Sequence, residues 1–104
     1  MKLGIVVYSN DPETVWNAFR LANFSLQFGD QVKMFMIGKG VEFESIGNSR
    51  FNLSEQIEHY LADKGPIYVC GTCLEMRKME PSGLYKVATL KDLREIIAES
   101  DKIV

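Results

Sequence analysis

Two cysteines three positions apart are the residues of this sequence best suited to chemistry. They lie in Cys70-Gly71-Thr72-Cys73, between a short β-prone run and a segment that suits one or two helical turns. At a strand-to-helix junction, unpaired backbone N–H groups and the positive end of the helix dipole stabilise a thiolate and lower its pKa below the ordinary value of about 8.5. We therefore expect Cys70 to be a reactive thiol with a lowered pKa.

The residues around Cys70 fit this chemistry. Gly71 lets the backbone turn tightly after the strand, and the spacing lets Cys73 reach back to resolve a disulfide or a persulfide on Cys70. We predict that Cys70 is the catalytic nucleophile, that Cys73 is the resolving or assisting thiol, and that Gly71 and Thr72 belong to the binding site. The alternative is that one or both cysteines are small hydrophobic residues that only fill the core.

A second glycine-rich segment, Gly38-Lys39-Gly40, resembles a fragment of a phosphate loop but lacks the full G-x-x-x-x-G-K-[ST] frame. A plain turn is the better interpretation. We predict that Gly38, Lys39 and Gly40 belong to the binding site, and that Lys39 and the backbone N–H groups of residues 72–74 stabilise an anion there.

Metal and cofactor sites are not expected. Zinc would need two further ligands, and the single histidine, His59, lies within a helical pattern that predicts a partly exposed helix residue, unless symmetric subunits share a metal. No nucleotide or flavin motif occurs. A thioredoxin-like oxidoreductase is also disfavoured, because two β-α units precede the cysteine pair.

Strands that alternate with helices must position these residues. The predicted helices start at Pro12, Leu53, Leu74 and Leu90, and the first is expected over 12–28. The segment 41–50 shows neither helical nor strand periodicity and is predicted to be a loop with short turns. Apolar runs of strand length predict strands over 2–8, 31–37, 66–70, 85–88 and 102–104.

This alternation predicts an α/β domain with a mainly parallel sheet and helices on both faces. In such sheets the functional site lies beyond the carboxyl ends of the strands. Three loops, 9–11, 38–40 and 70–73, are therefore expected to meet on one rim.

Composition fits one domain over 1–104. The 104 residues include 12 Lys and Arg against 14 Asp and Glu, and no basic run exceeds two residues, so we expect no direct contact with nucleic acid. The first apolar run is too short for a signal sequence, and no later stretch approaches a membrane span. We therefore expect a cytoplasmic protein with no membrane contact, where thiols stay reduced and a structural disulfide is less expected than chemistry.

Three stretches in combination resemble the DsrE/DsrF-like family of small sulfur-relay proteins, over nearly the whole chain. They are the opening strand with Ser9-Asn10-Asp11-Pro12-Glu13, the stretch 28–42, and Val69-Cys70-Gly71-Thr72-Cys73-Leu74. The resemblance implies a three-layer α/β/α sandwich with a five-stranded parallel sheet. It also implies a homotrimer or homohexamer, and persulfide chemistry on Cys70 with sulfur donor and acceptor proteins as partners. Cys73 departs from the family pattern.

Two functions remain open at this point. The first is a sulfur carrier in which Cys70 takes a persulfide sulfur and yields it to an acceptor thiol. The second is a non-catalytic α/β module whose thiol pair senses redox state or binds a soft metal at an oligomer interface. Large apolar residues beyond what a small core readily hides, including Phe24, Phe43 and Phe51, also favour a cyclic homo-oligomer.

Overall fold

The structure is a computed structural model that describes all 104 residues, as five strands, four α-helices and one 3-10 helix. The strands are β1 (Lys2–Val7), β2 (Gln31–Met36), β3 (Ile67–Cys70), β4 (Lys86–Ala88) and β5 (Lys102–Ile103). The helices are α1 (Pro12–Gln27), α2 (Leu53–Ala62), α3 (Gly71–Met76) and α4 (Leu90–Glu99), and the 3-10 helix Gly38–Ser45 lies between β2 and α2. The five predicted strands are confirmed, each within one residue.

The sheet has the order β4-β3-β2-β1-β5, and every neighbouring pair is parallel. Because parallel neighbours need crossover connections, each step along the sheet carries a helix. The register aligns Val7 with Met36, Met36 with Val69, and Cys70 with Ala88. The strand ends that precede the 3-10 helix and α3 therefore lie side by side, which brings the segments after β2 and β3 together.

Helices cover both faces of the sheet. The steps from β1 to β4 run in one direction, and right-handed crossovers place α1, α2 and α3 on one face. The connection from β4 to β5 runs back across the sheet and places α4 on the other face, where Ile96 and Ser100 lie against Gly4 of β1. The predicted three-layer α/β/α architecture is confirmed.

Side-chain caps set where three helices begin. The Asp11 carboxylate accepts a hydrogen bond from the backbone N–H of Thr14 at 2.9 Å, and Pro12 occupies the first turn of α1. Asn52 caps α2 in the same way, and Thr89 and Asp92 form a reciprocal capping box at α4. These local signals fix the lengths of the loops that follow β1 and β4.

The core between the sheet and the α1–α2 face is rich in aromatic rings. The ring of Phe19 contacts those of Phe43 and Tyr60, and all three side chains are fully buried. Phe43 is therefore a core residue, and the expectation that it is surplus to the core is wrong. Phe51 is half-buried against Trp16, whereas Phe24 is 62% exposed.

The segment predicted as a loop over 41–50 is only partly irregular. Its first five residues belong to the 3-10 helix Gly38–Ser45, so the prediction is wrong there. Val41 and Phe43 are buried while Glu42 between them is half-buried. A 3-10 helix has three residues per turn, so it does not follow the 3.6-residue spacing by which α-helices are recognised.

Candidate functional site

The two cysteines lie where β3 passes into α3. Cys70 is the last residue of β3 and the N-cap of α3, with extended backbone angles, and Cys73 is in the first turn of that helix. Both are free thiols, the two residues approach to near 3.3 Å, and their side chains interact. Cys70 is only 4% exposed, whereas Cys73 is half-buried. The pair is thus a buried thiol behind a more accessible one.

The sulfur of Cys73 has a hydrogen-bond donor from the neighbouring loop. The backbone N–H of Gly38 donates to Cys73 Sγ with an N···S distance of 3.2 Å. Gly38 has a φ of +59°, in the left-handed region that favours glycine. The predicted meeting of segments 38–40 and 70–73 is therefore observed, and the contact is made by a backbone amide.

Gly40 brings the 3-10 helix against the end of β1. A Cβ atom at Gly40 would lie 2.1 Å from the carbonyl oxygen of Val7, a distance that no side chain permits. Ile37 donates its backbone N–H to the same carbonyl at 3.0 Å. The loop that carries Gly38 is thus held rigidly to β1, and this fixes its N–H relative to Cys73.

A polar network fixes the other side of Cys73. Arg77, just after α3, donates through Nη1 to the carbonyl oxygen of Cys73 at 3.2 Å and through Nε to Glu42 at 2.9 Å. Glu42 on the 3-10 helix also accepts from the Asn10 amide at 3.3 Å. Hydrogen bonds to Arg77 and Asn10 lower the pKa of Glu42, so the network is ionised at neutral pH. It ties the segments that follow β1 and β2 to the turn that carries Cys73.

The acidity of Cys70 differs from the expectation. Burial raises the pKa of the Cys70 thiol above its ordinary value, and contact with the Cys73 side chain raises it further. The backbone N–H groups of Cys73 and Thr72 act in the opposite direction but are outweighed. The expected lowering is therefore wrong, because α3 has only six residues and its first turn does not compensate for the loss of water around the sulfur.

The other predicted site residues lie around the pair. Gly71 follows Cys70 directly, and a Cβ there would approach the Val87 side chain to 3.0 Å. Thr72 is exposed on the first turn of α3. Lys39 is exposed and forms no hydrogen bond or salt bridge, although its charge helps to lower the pKa of Glu42. The role of Lys39 in stabilising an anion stays a prediction.

Comparison with known proteins identifies the family. The sequence model of the DsrE/DsrF-like family matches residues 1–104. This chain belongs to the DsrE/DsrF-like family. It is 29% identical to an uncharacterized protein of Methanopyrus kandleri over an alignment of 108 residues. The alignment covers 95% of this chain and 89% of that protein.

Solved structures share the DsrE/DsrF-like fold. The chain resembles YchN from E. coli with a TM-score of 0.87 and 21% identity, over 100% of this chain and 97% of that one. It also resembles a conserved protein of unknown function from Bacteroides thetaiotaomicron with a TM-score of 0.77 and 20% identity, over 99% and 92% of the two chains. At these identities the likeness establishes the fold alone.

Other features of this DsrE/DsrF-like chain lie away from the cysteines. His59 is exposed on α2, and no three His, Cys, Asp or Glu side chains are grouped so that they could hold a metal ion. A surface cavity of about 550 Å³ lies between α1 and α2 and is lined by neither cysteine. None of the helices combines the length and the apolar character needed to cross a membrane.

Sequence reasoning missed Glu42 and Arg77. Arg77 lies four residues after Cys73, the spacing that places two residues on one side of a helix, and this was the one signal available. Glu42 lies 35 positions from Arg77, within the segment predicted to be a loop. Its spacing from Arg77 gave no sign that the two residues meet.

Proposed function

We propose that this protein is a sulfur carrier that accepts and passes on sulfane sulfur as a persulfide at the Cys70–Cys73 pair. The observation that carries the proposal is the contact between two free thiols at the carboxyl edge of a parallel sheet, where functional sites of such sheets lie. Membership of the DsrE/DsrF-like family supports it, because the fold is of the sulfur-relay type. In this proposal Cys70 holds the sulfur, Cys73 assists it, and the segments Gly38-Lys39-Gly40 and Gly71-Thr72 frame the site.

The transfer needs no cofactor. A cysteine thiolate attacks the outer sulfur of a donor persulfide, R–S–SH, and the donor S–S bond breaks. The donor leaves as R–S⁻, and the outer sulfur with its hydrogen remains on the carrier as Cys–S–SH. An acceptor thiolate then attacks that outer sulfur and restores the cysteine. No net oxidation occurs in either step, since one S–S bond forms as another breaks.

The proposal includes assembly into a homotrimer or homohexamer in the cytoplasm. Phe24 and Phe28 on and just after α1 are 62% and 76% exposed and lie with their ring centroids 5.4 Å apart. A pair of exposed aromatic rings is typical of surfaces that a partner covers. Light scattering at micromolar concentration tests this directly, and a protein that remains monomeric would contradict it.

Intact-mass spectrometry after incubation with inorganic polysulfide tests the sulfur-carrier function. A carrier gains about 32 Da for each sulfur bound, and this gain is reversed by a thiol reductant. The double variant Cys70→Ser/Cys73→Ser should gain nothing. Wild-type protein whose mass does not change with polysulfide or with a persulfide-bearing cysteine desulfurase would exclude the proposal.

The second candidate is a redox-sensing pair, and the same contact between the thiols favours it. A peroxide oxidises Cys70 and Cys73 to a disulfide: the S–S bond forms as the O–O bond of hydrogen peroxide breaks, and the two thiol hydrogens leave in the water produced, a loss of about 2 Da without added sulfur. The mass measurement therefore separates the two functions. A durable gain supports the carrier, and a loss with no gained species supports the sensor.

A further inference from the structure

We infer that sulfur enters this site through Cys73 and is then passed to Cys70, which stores it. The inference rests on the proposed sulfur-carrier function and deepens it, because it assigns an order to two thiols that the sequence presents as a single motif. Three observations carry it: the unequal exposure of the two sulfurs, the hydrogen bond from the Gly38 N–H to Cys73 Sγ, and the contact between the two cysteines.

The first observation is access. A donor persulfide must approach the attacking sulfur closely enough for an S–S bond to form. Cys70 is 4% exposed at the end of a sheet strand, with Ala88 of β4 beside it in register. Cys73 is half-buried on the first turn of α3, next to the exposed Thr72. A donor therefore reaches Cys73 first.

The second observation is the backbone N–H of Gly38, which donates to Cys73 Sγ at 3.2 Å. A donor aimed at sulfur stabilises the thiolate more than the thiol, because a hydrogen bond to a charged acceptor is the stronger one. It thus assists Cys73 as the attacking thiolate when a donor persulfide arrives. The same N–H stabilises Cys73 as the leaving thiolate when the sulfur moves on, and a better-stabilised thiolate leaves faster.

The third observation is the contact between the two cysteines, which approach to near 3.3 Å and whose side chains interact. After loading, Cys73–S–SH lies beside the Cys70 thiol. Cys70 Sγ attacks the outer sulfur, the Cys73 S–S bond breaks, and the proton of the Cys70 thiol passes to Cys73 Sγ. The products are Cys70–S–SH and the Cys73 thiol, so atoms, protons and oxidation level balance. Because burial raises the pKa of Cys70, its thiol attacks only as it loses its proton, and the proton transfer to Cys73 Sγ is therefore part of the same step.

Storage on Cys70 gives the carrier a shielded persulfide. A sulfur held behind Cys73 is removed from bulk thiols that would reduce it, whereas one left on Cys73 remains accessible. Release to an acceptor follows the reverse path through Cys73. The network of Arg77 and Glu42 keeps the Cys73 turn in place during both steps, and Arg77 is therefore a positioning residue.

Time-resolved loading with inorganic polysulfide tests the order. Samples are trapped with an alkylating agent, and the added sulfur is assigned to Cys70 or Cys73 by peptide mapping. In wild-type protein the sulfur should appear on Cys73 first and then on Cys70. In Cys70→Ser the sulfur should load on Cys73 and stay there. In Cys73→Ser, Cys70 should load at least about tenfold more slowly, a rate ratio of roughly 1.4 kcal/mol.

Glu75→Gln is the matched control, because Glu75 is exposed on α3 and takes no part in the network. It should load like wild type. Loading of Cys73→Ser at the wild-type rate, or failure of Cys70→Ser to load, would overturn the inference while leaving the carrier function intact. A wild-type protein that never loads would instead overturn the carrier function, and the order with it. If Cys73→Ser fails to fold, loading of Cys70→Ser still tests whether Cys73 is the thiol that accepts sulfur first.

Discussion

The backbone N–H of Gly38 and the sulfur of Cys73 form a hydrogen bond of 3.2 Å that joins the ends of two adjacent strands. Gly38 reaches this position with a φ of +59°, and Cys73 reaches it because α3 begins at Gly71, directly after β3. This hydrogen bond depends on a backbone conformation that suits glycine, and its acceptor is a thiol sulfur 35 residues away. Substitution of Gly38 therefore tests this link.

Gly38→Ala should lower the free energy of unfolding and slow sulfur loading on Cys73. An alanine in the left-handed region costs about 1–2 kcal/mol, and no atom lies closer than 4.0 Å to the added Cβ, so the cost is conformational. Relaxation of the strained backbone turns the N–H away from Cys73 Sγ. Loss of a hydrogen bond worth roughly 1 kcal/mol corresponds to about fivefold slower loading.

Gly29→Ala is the matched control for this experiment. Gly29 has a φ of +92°, and nothing lies within 4 Å of the Cβ that would be added, but it follows α1 at the opposite edge of the sheet. Urea denaturation should give similar stability losses for the two variants, with slower loading only for Gly38→Ala. Equal loading by the two variants would indicate that the Gly38 N–H has no part in the chemistry.

Alkylation by iodoacetamide should reach Cys73 before Cys70. Burial limits access to Cys70 and raises the pKa of its thiol, so the reactive thiolate is scarce at neutral pH. We expect Cys70 in wild-type protein at pH 7 to react more slowly than free cysteine, and its rate to keep rising above the ordinary thiol pKa. Peptide mapping over a pH series measures this. Faster reaction of Cys70 than of free cysteine would contradict this account and would show that the pKa of Cys70 is lowered, as the sequence led us to expect.

Arg77→Met should slow loading at Cys73 severalfold and raise the pKa of Glu42 toward its ordinary value. The substitution removes the donor to the Cys73 carbonyl and the principal hydrogen bond that lowers the Glu42 pKa. Arg77→Lys should recover part of the pKa shift, because it keeps the positive charge. NMR titration reports the pKa, and mass spectrometry reports loading. Arg94→Met, an exposed site on α4, serves as the control and should change neither.

The free energy of unfolding should fall as the pH rises above the ordinary thiol range. A pKa that is higher in the folded state than in the unfolded one gives stability that is complete below the unfolded pKa and is lost as pH rises toward the folded pKa. Cys70→Ala should therefore show a flatter stability profile than wild type from about pH 8 to 10. Chemical denaturation across that range measures it, and parallel profiles would contradict the burial argument. The range stops there because burial also raises the pKa of Tyr60.

Much of the fold can be predicted from the sequence. The β-branched run of β1, the capping residues Asp11 and Thr89, and the strand-to-helix position of Cys70 are local features that survive folding unchanged. Parallel pairing then follows from the alternation of strands and helices. The gathering of 38–40 and 70–73 on one edge follows in turn from that pairing.

The features that escaped prediction depend on tertiary contacts. The pKa of Cys70 is set by how completely neighbouring elements exclude water, and no local pattern encodes this. The 3-10 helix is held by the approach of Gly40 to Val7 and by burial of Phe43 among distant aromatic rings. The ion pair of Glu42 with Arg77 joins residues far apart in sequence, so it is visible only after both loops reach the same edge.

A single time course tests the central claim that the Cys70–Cys73 pair carries sulfur from a donor to an acceptor. Protein loaded with polysulfide and freed of excess reagent is mixed with an acceptor thiol protein, and both intact masses are followed. A sulfur carrier loses about 32 Da as the acceptor gains the same mass, and Cys70→Ser/Cys73→Ser transfers nothing. A wild-type protein that takes up no sulfur, or that loses it only as free sulfide while the acceptor mass stays constant, would contradict the claim.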